Sequence, residues 1–415
     1  MIWLSCALGH AADWPQFRGP TADGVTTDET LPLNWSDKEN LVWRTRLPGP
    51  GSSSPIVSGG KVFLTCYSGY GLDPRDPGDS KNLKRHALCL DRETGRILWD
   101  EEIVTDLPTA AYTGTYITTH GYASSTPVTD GRGVFFFMGN AGVHAFTLEG
   151  KKVWQAEVGE KSHEWGSGSS PILYDDLVIV NAALESNRLI ALDRLTGKEV
   201  WSTMGFPASW NTPVIVRVQD HDELVVNASG KVRAFDPKTG VELWSCQSIK
   251  AAELCPSVIA HDGVIFIIGS PRGQAMAVRA GGKGDVSATH VLWQAERGSN
   301  VGSPVYHEGR LYFINDSRGI AICLDAASGA VVYEEPVSRQ KRERWYATPL
   351  LSNGRLYCVS RQSGTFVLAA TLKFEVLATN VFADDTSVFN ASPAAADGRL
   401  YLRSDAYAYC LGGKP

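Results

Sequence analysis

Apolar and polar positions alternate in one recurring order along most of this chain. The run "SSPILYDDLVIVNAALESNRLIALDRLTGKEVW" (169–201) opens on small residues and Pro, then alternates through two stretches split by a polar turn. A third stretch ends in Leu-Asp, a Thr-Gly turn follows, and a fourth ends in Trp. "TPVIVRVQDHDELVVNASGKVRAFDPKTGVELW" (212–244) and "GSPVYHEGRLYFINDSRGIAICLDAASGAVVY" (302–333) repeat that order. Period-two alternation between Asn, Asp and Gly turns predicts four antiparallel strands joined by hairpins. A 3.6-residue period is missing, which argues against helical repeats, and β-helices have shorter units.

The opening prolines are Pro55, Pro127, Pro171, Pro213, Pro256, Pro304, Pro349 and Pro393. From Pro127 onward they are 44, 42, 43, 48, 45 and 44 residues apart, the period of a four-stranded propeller blade. The first interval, 72, carries two polar insertions at about 67–86 and 104–123. Stacked sheets must protect their edges, and a closed ring does so. The pattern predicts an all-β chain, an eight-bladed β-propeller of four-stranded antiparallel blades filling 13–415 as one domain.

The fourth strands end at Trp99, Trp154, Trp201, Trp244, Trp293 and Tyr333, then weaken to Leu377. These large side chains are expected to dock each blade on its neighbour. Trp43 ends such a strand before any complete unit has begun. The last unit, "ASPAAADGRLYLRSDAYAYCLGGKP", shows three strands and none ending in Trp. The strand around Trp43 is therefore expected to pair with Tyr407–Leu411, complete blade eight and close the ring.

Composition narrows the function classes. With 39 Lys and Arg against 45 Asp and Glu, the net charge of −6 argues against nucleic-acid binding. No segment has the apolar length of a membrane span. Ile2–Leu8 followed by Gly9-His10-Ala11 has the form of a signal-peptide end without its positive start. Residues 1–12 are read as a truncated signal peptide, implying periplasmic or extracellular export; a frayed cytosolic terminus is the alternative. Trp3 stands where a lipoprotein box before Cys6 wants Leu, so lipidation is not expected. Cys66, Cys89, Cys323, Cys358 and Cys410 lie in strand-like runs and read as buried thiols. Cys246 and Cys255 flank one loop and are the pair to test for a bridge.

The motif A-x-D-x-x-T-G-x-x-x-W, seen as "ALDRLTGKEVW" and nearly so as "CLDRETGRILW" and "AFDPKTGVELW", resembles the tryptophan-docking repeat of the quinoprotein family. The resemblance runs from Trp43 to Leu411, and "DWPQFRGP" (13–20) is similar to the mature start of exported quinoprotein-like propellers. It implies one of two roles. Pyrroloquinoline-quinone dehydrogenases hold the quinone and Ca²⁺ over the propeller axis and oxidise alcohols or sugars. Non-catalytic relatives of the BamB type are binding scaffolds. The blades are nearly minimal, with no adjacent Cys pair and no C-x-x-C-H haem site. These features favour a monomeric, non-enzymatic scaffold of BamB character, needing no cofactor or metal, that binds a protein, peptide or small ligand. The quinone- and calcium-dependent dehydrogenase is the alternative.

In a propeller the loops leading into each inner strand gather at one mouth. Here they carry His120, Tyr122, His163, Glu164, Trp165, Trp210, Asn211, Glu253, Asn300, Arg344, Trp345, Tyr346, Phe389 and Asn390. Aromatics beside imidazole, carboxylate and guanidinium groups have the character of a ligand mouth; side chains that merely plug the channel are the bland alternative. His163-Glu164 lacks the second His of a zinc helix, leaving only a cross-loop site with His120. Asp73, Asp76 and Asp79 do not have calcium-loop spacing and read as a solvated acidic loop. The basic run 339–344 reads as solvated surface.

Overall fold

The computed structural model describes residues 13–412, apart from 115, 207, 229, 252–253, 271–272 and 339–342. The expected signal peptide and most of the basic run lie outside these residues, as does Glu253.

Eight antiparallel four-stranded sheets form the blades, two of them extended by a short parallel strand. Blade 1 comprises Ile56–Ser58, Lys61–Ser68, Lys84–Asp91 and Ile97–Ile103. Its two middle strands, KVFLTCYS and KRHALCLD, are buried on both faces because a neighbouring sheet covers each side. Most outermost strands are largely exposed, burying little besides the docking residue. In Glu199–Met204 only Trp201 is buried. The strand Leu41–Arg46 pairs with Tyr407–Leu411, matching Trp43 to Cys410 and Arg46 to Tyr407. It completes the sheet of Ala394–Ala396 and Arg399–Arg403, so the first blade strand in sequence belongs to the last blade.

Neighbouring blades interlock through the Asp-x-x-Thr-Gly turn. Asp193 Oδ1 accepts from the Thr196 N–H (2.8 Å) and hydroxyl (2.6 Å), and Asp91 holds Thr94 in the same way. This turn, or its counterparts Thr147–Gly150 and Asp325–Gly329, then presents a carbonyl to the preceding blade. Indole N–H groups of Trp43, Trp99, Trp154, Trp201 and Trp293 donate to the carbonyls of Arg92, Leu148, Arg194, Pro237 and Ala326, at 2.8–3.2 Å. Trp244 differs. The following blade has "AGGKGDV" instead of the turn, and Trp244 donates to the Glu223 carboxylate of its own blade (2.8 Å). Gly284–Asp285 from that irregular stretch adds a parallel strand to its sheet. Tyr333 meets Phe374 of the next blade, with ring centres 5.8 Å apart.

The turn glycine lies against the docked indole. At Gly240, φ is +68° and a Cβ would stand 2.4 Å from the Trp201 ring. Gly240→Ala is expected to cost about 2 kcal/mol, through left-handed strain and displacement of the indole. Urea denaturation checks this, and a change under roughly 0.5 kcal/mol, the range of neutral surface substitutions, would refute the interlock.

The two insertions fold onto each other. Tyr67, Tyr70, Leu83, Tyr112, Ile117 and Tyr122 form a separate buried cluster, which carries the short helix Ile117–His120 to the axial mouth. On the opposite side, residues 13–26 cross beneath the axis. Trp14 bridges Val57 in blade 1, the Pro15 carbonyl accepts from Thr129 N–H in blade 2, and Val25–Thr26 lies parallel to Leu351–Ser352 in blade 7. Between them the buried Arg18 guanidinium donates to the carbonyls of Pro304 (2.6 Å) and Val258 (3.4 Å). Burial lowers its pKa to about 10, still protonated at neutral pH.

Candidate functional site

Each blade contributes one Ser or Thr at the start of its inner strand: Ser54, Thr126, Ser170, Thr212, Ser257, Ser303, Thr348 and Ser392. The backbone N–H of each donates to the hydroxyl of the next at 2.9–3.1 Å, and Ser392 N–H returns to the Ser54 hydroxyl. The result is a closed hydrogen-bonded belt around the axis. It needs a small hydroxyl residue at one register position per blade, because the N–H there faces the next blade and not a sheet partner. The signal was present in sequence, since seven of the eight residues directly precede an opening Pro. In blade 5 the order is inverted to Pro256-Ser257.

The belt surrounds a cavity of about 200 Å³. Phe17, on the segment that crosses beneath the axis, forms part of its lining. The rest comes from the mouth loops, and seven of the predicted residues meet here: His120, Trp165, Trp210, Asn300, Arg344, Tyr346 and Asn390. Trp165 stacks on Tyr116 (4.2 Å) and tilts against Trp210 (5.7 Å), whose indole N–H donates to the Gly166 carbonyl (2.7 Å). The Asn390 amide donates to the Thr119 carbonyl and its Oδ1 accepts from Arg361 (2.7 Å). Arg361 also lies over the Tyr346 ring at 4.7 Å, so this residue, absent from the sequence reading, positions two lining side chains.

Other predicted residues are turned into the walls. Asn211 donates to Ser209 and to the Asn227 carbonyl within its blade. Trp345 packs on Phe366, Phe389 sits beside Phe382 and Tyr409, and Tyr122 belongs to the tyrosine cluster. Loop position alone did not distinguish these packing aromatics from lining ones. His163 lies edge-on to Trp210 (5.1 Å), and Glu164 is exposed. Among the described residues no three His, Cys, Asp or Glu gather as a metal site, including His120, His163 and Glu164. Cys246 and Cys255 are both free thiols, so the bridge considered between them is not formed.

Two polar details define the cavity's chemistry. His120 Nδ1 lies 2.7 Å from the Ser124 hydroxyl, and burial pushes the imidazole pKa down to about 4, leaving it neutral at physiological pH. Asp316 is the carboxylate among the described lining residues, and its Oδ1 accepts from Asn300 N–H (2.7 Å) and the Ser299 hydroxyl (3.3 Å). The Asn300 side-chain oxygen is buried without a partner.

Similarity to known proteins follows this architecture. Tetrathionate hydrolase from Acidithiobacillus ferrooxidans is 24% identical over 367 residues, spanning 80% of this chain and 67% of that protein. The quinohemoprotein alcohol dehydrogenase of Comamonas testosteroni superposes with a TM-score of 0.65 at 12% identity, covering 97% of this chain and 81% of that one. The computationally designed protein Ika8 gives 0.61 at 12% identity, covering 89% and 98%. Identities this low establish a shared fold alone. Residues 83–335 match the family of the outer membrane protein assembly factor BamB, and the chain belongs to that family of propellers.

Proposed function

We propose that the chain is an exported, non-enzymatic binding propeller whose ligand enters the mouth and is held on the axis. The observation that carries this reading is the belted cavity, walled by Trp165, Trp210 and Tyr346 and underlain by Phe17. Aromatic walls with a few fixed polar groups are the usual makeup of a small-ligand site. Membership in the BamB family supports a binding role, and the apolar stretch before Ala12 supports export. Among the described residues no helix is long and apolar enough to cross a membrane.

The donor set does not fit quinone with calcium. Ca²⁺ takes six to eight oxygens, roughly, with carboxylates among them. The described lining offers Asp316 alone, with one oxygen already accepting two hydrogen bonds. Calorimetric titration of the full chain with pyrroloquinoline quinone and Ca²⁺ is expected to give no saturable heat. Calcium-dependent binding with alcohol-driven dye reduction would overturn the binding reading.

A second reading, hydrolysis, has its own support. The curated relative is a hydrolase, and the Ser124–His120 pair with Asp316 supplies a hydroxyl, a neutral imidazole and a carboxylate in one cavity. Tetrathionate consumption by the full chain, lost in His120→Ala, would favour it; none is expected.

A further inference from the structure

Every belt hydroxyl accepts a backbone N–H, yet none donates its own proton to a described protein group. Accepting that bond polarises the O–H and makes it a better donor. Each oxygen also keeps a second lone pair. The axis is therefore ringed by eight donors that can also accept. Asn300 adds the converse demand: it is 7% exposed, lines the same cavity, and its Oδ1 has no donor.

Three ligand classes fail this inventory. Eight N–H···O links of about 3 Å, each joined to the next through a residue, make a belt on the order of 12 Å across. That is several times a metal–oxygen bond, so one ion cannot satisfy it. An inorganic oxyanion would use the hydroxyl donors but brings no proton to Asn300 Oδ1. It would also share the cavity with the Asp316 carboxylate, while the one described lining cation, Arg344, is exposed. An extended peptide exceeds a space of about 200 Å³ above the segment that carries Phe17. A ring-shaped polyol meets every term: hydroxyls that donate and accept around its edge, and a C–H face for Trp165 or Tyr346.

We propose that the belt is the binding site for one neutral polyhydroxylated ring, the size of a single sugar or cyclitol. This rests on the reading of the cavity as a ligand site, and the test separates the two. The full chain is titrated calorimetrically with glucose, galactose and myo-inositol, and in parallel with glucose 6-phosphate, sulfate and short peptides. At least one neutral polyol is expected to bind saturably at millimolar concentration or below. Thr212→Val, which removes a belt hydroxyl at constant shape, and Asn300→Ala are each expected to weaken it about tenfold. Thr212→Val also deprives Ser170 N–H of its acceptor; should that variant fail to fold, Asn300→Ala still reports, because its Oδ1 holds no protein partner. Anions or peptides binding while no neutral polyol does would overturn the ligand class and leave the binding reading standing. No binding in any arm would overturn both. Polyol binding indifferent to Asn300→Ala would overturn the placement on the belt.

Discussion

A chain lacking residues 13–46 is expected to lose cooperative folding. The outer strand Leu41–Arg46 supplies the last blade's fourth strand, and without it the hydrogen-bonding edge of Tyr407–Leu411 faces solvent. The same segment buries Trp14, Leu31, Trp35 and Trp43. At roughly 1.5–3 kcal/mol for each fully buried large side chain, their loss is on the order of 10 kcal/mol. That equals the whole stability of an ordinary domain, about 5–15 kcal/mol. A milder version isolates the clasp. Trp43→Ala removes the indole packed against Tyr401 and its 2.8 Å bond to the Arg92 carbonyl, joining blade eight to blade one. It is expected to cost about 3–5 kcal/mol. Val104→Ala, at a residue 65% exposed, is the control and should stay within about 0.5 kcal/mol. Melting temperatures for Trp43→Ala and the deletion that match wild type would refute closure by the N-terminal strand.

The blade count and the clasp were legible because they follow from periodicity. One Pro per unit and a Trp ending most of them, with an unpaired Trp43 strand and an unfinished last unit, leave a single way to close the ring. The site was only half legible. Arg344, Trp210 and Asn390 share their loops with Trp345, Asn211 and Phe389, and the direction of each side chain depends on packing that sequence order does not carry. Ser54, Thr126 and their counterparts were overlooked for a different reason. Small polar residues before Pro read as turn chemistry, and only the ring geometry shows each accepting from the blade before it. "DWPQFRGP" had no periodic context at all. Its Trp14 and Arg18 bond to blades one, five and six, Pro15 to blade two, and Phe17 lines the axial cavity, contacts set by the closed ring and not by local propensity.

Stability should also carry a pH signature that one substitution removes. Glu185→Gln is expected to stabilise the protein by about 3 kcal/mol near pH 8 and to leave it unchanged near pH 4. The Glu185 carboxyl is 2% exposed, and burial pushes its pKa up to about 7, against the opposing hydrogen bond from the Ser167 hydroxyl and the charge of Arg85. The folded pKa thus lies above the unfolded one. As pH rises past the ordinary carboxylate range the unfolded chain releases its proton first, so stability is full below that range and falls until pH passes about 7. Glutamine keeps an oxygen for Ser167 and never ionises, which removes the alkaline fall. His120 and His144 act with the opposite sign. Burial pushes both down to about 4, so the unfolded imidazoles take up protons first and stability falls as pH drops from the ordinary imidazole range through about 4. The wild type should therefore be most stable on the slightly acid side of neutrality, and Glu185→Gln should keep the acid limb while flattening the alkaline one. Urea denaturation at intervals between about pH 4 and 8 resolves the two limbs. Parallel profiles for variant and wild type would mean that Glu185 is not the group that titrates.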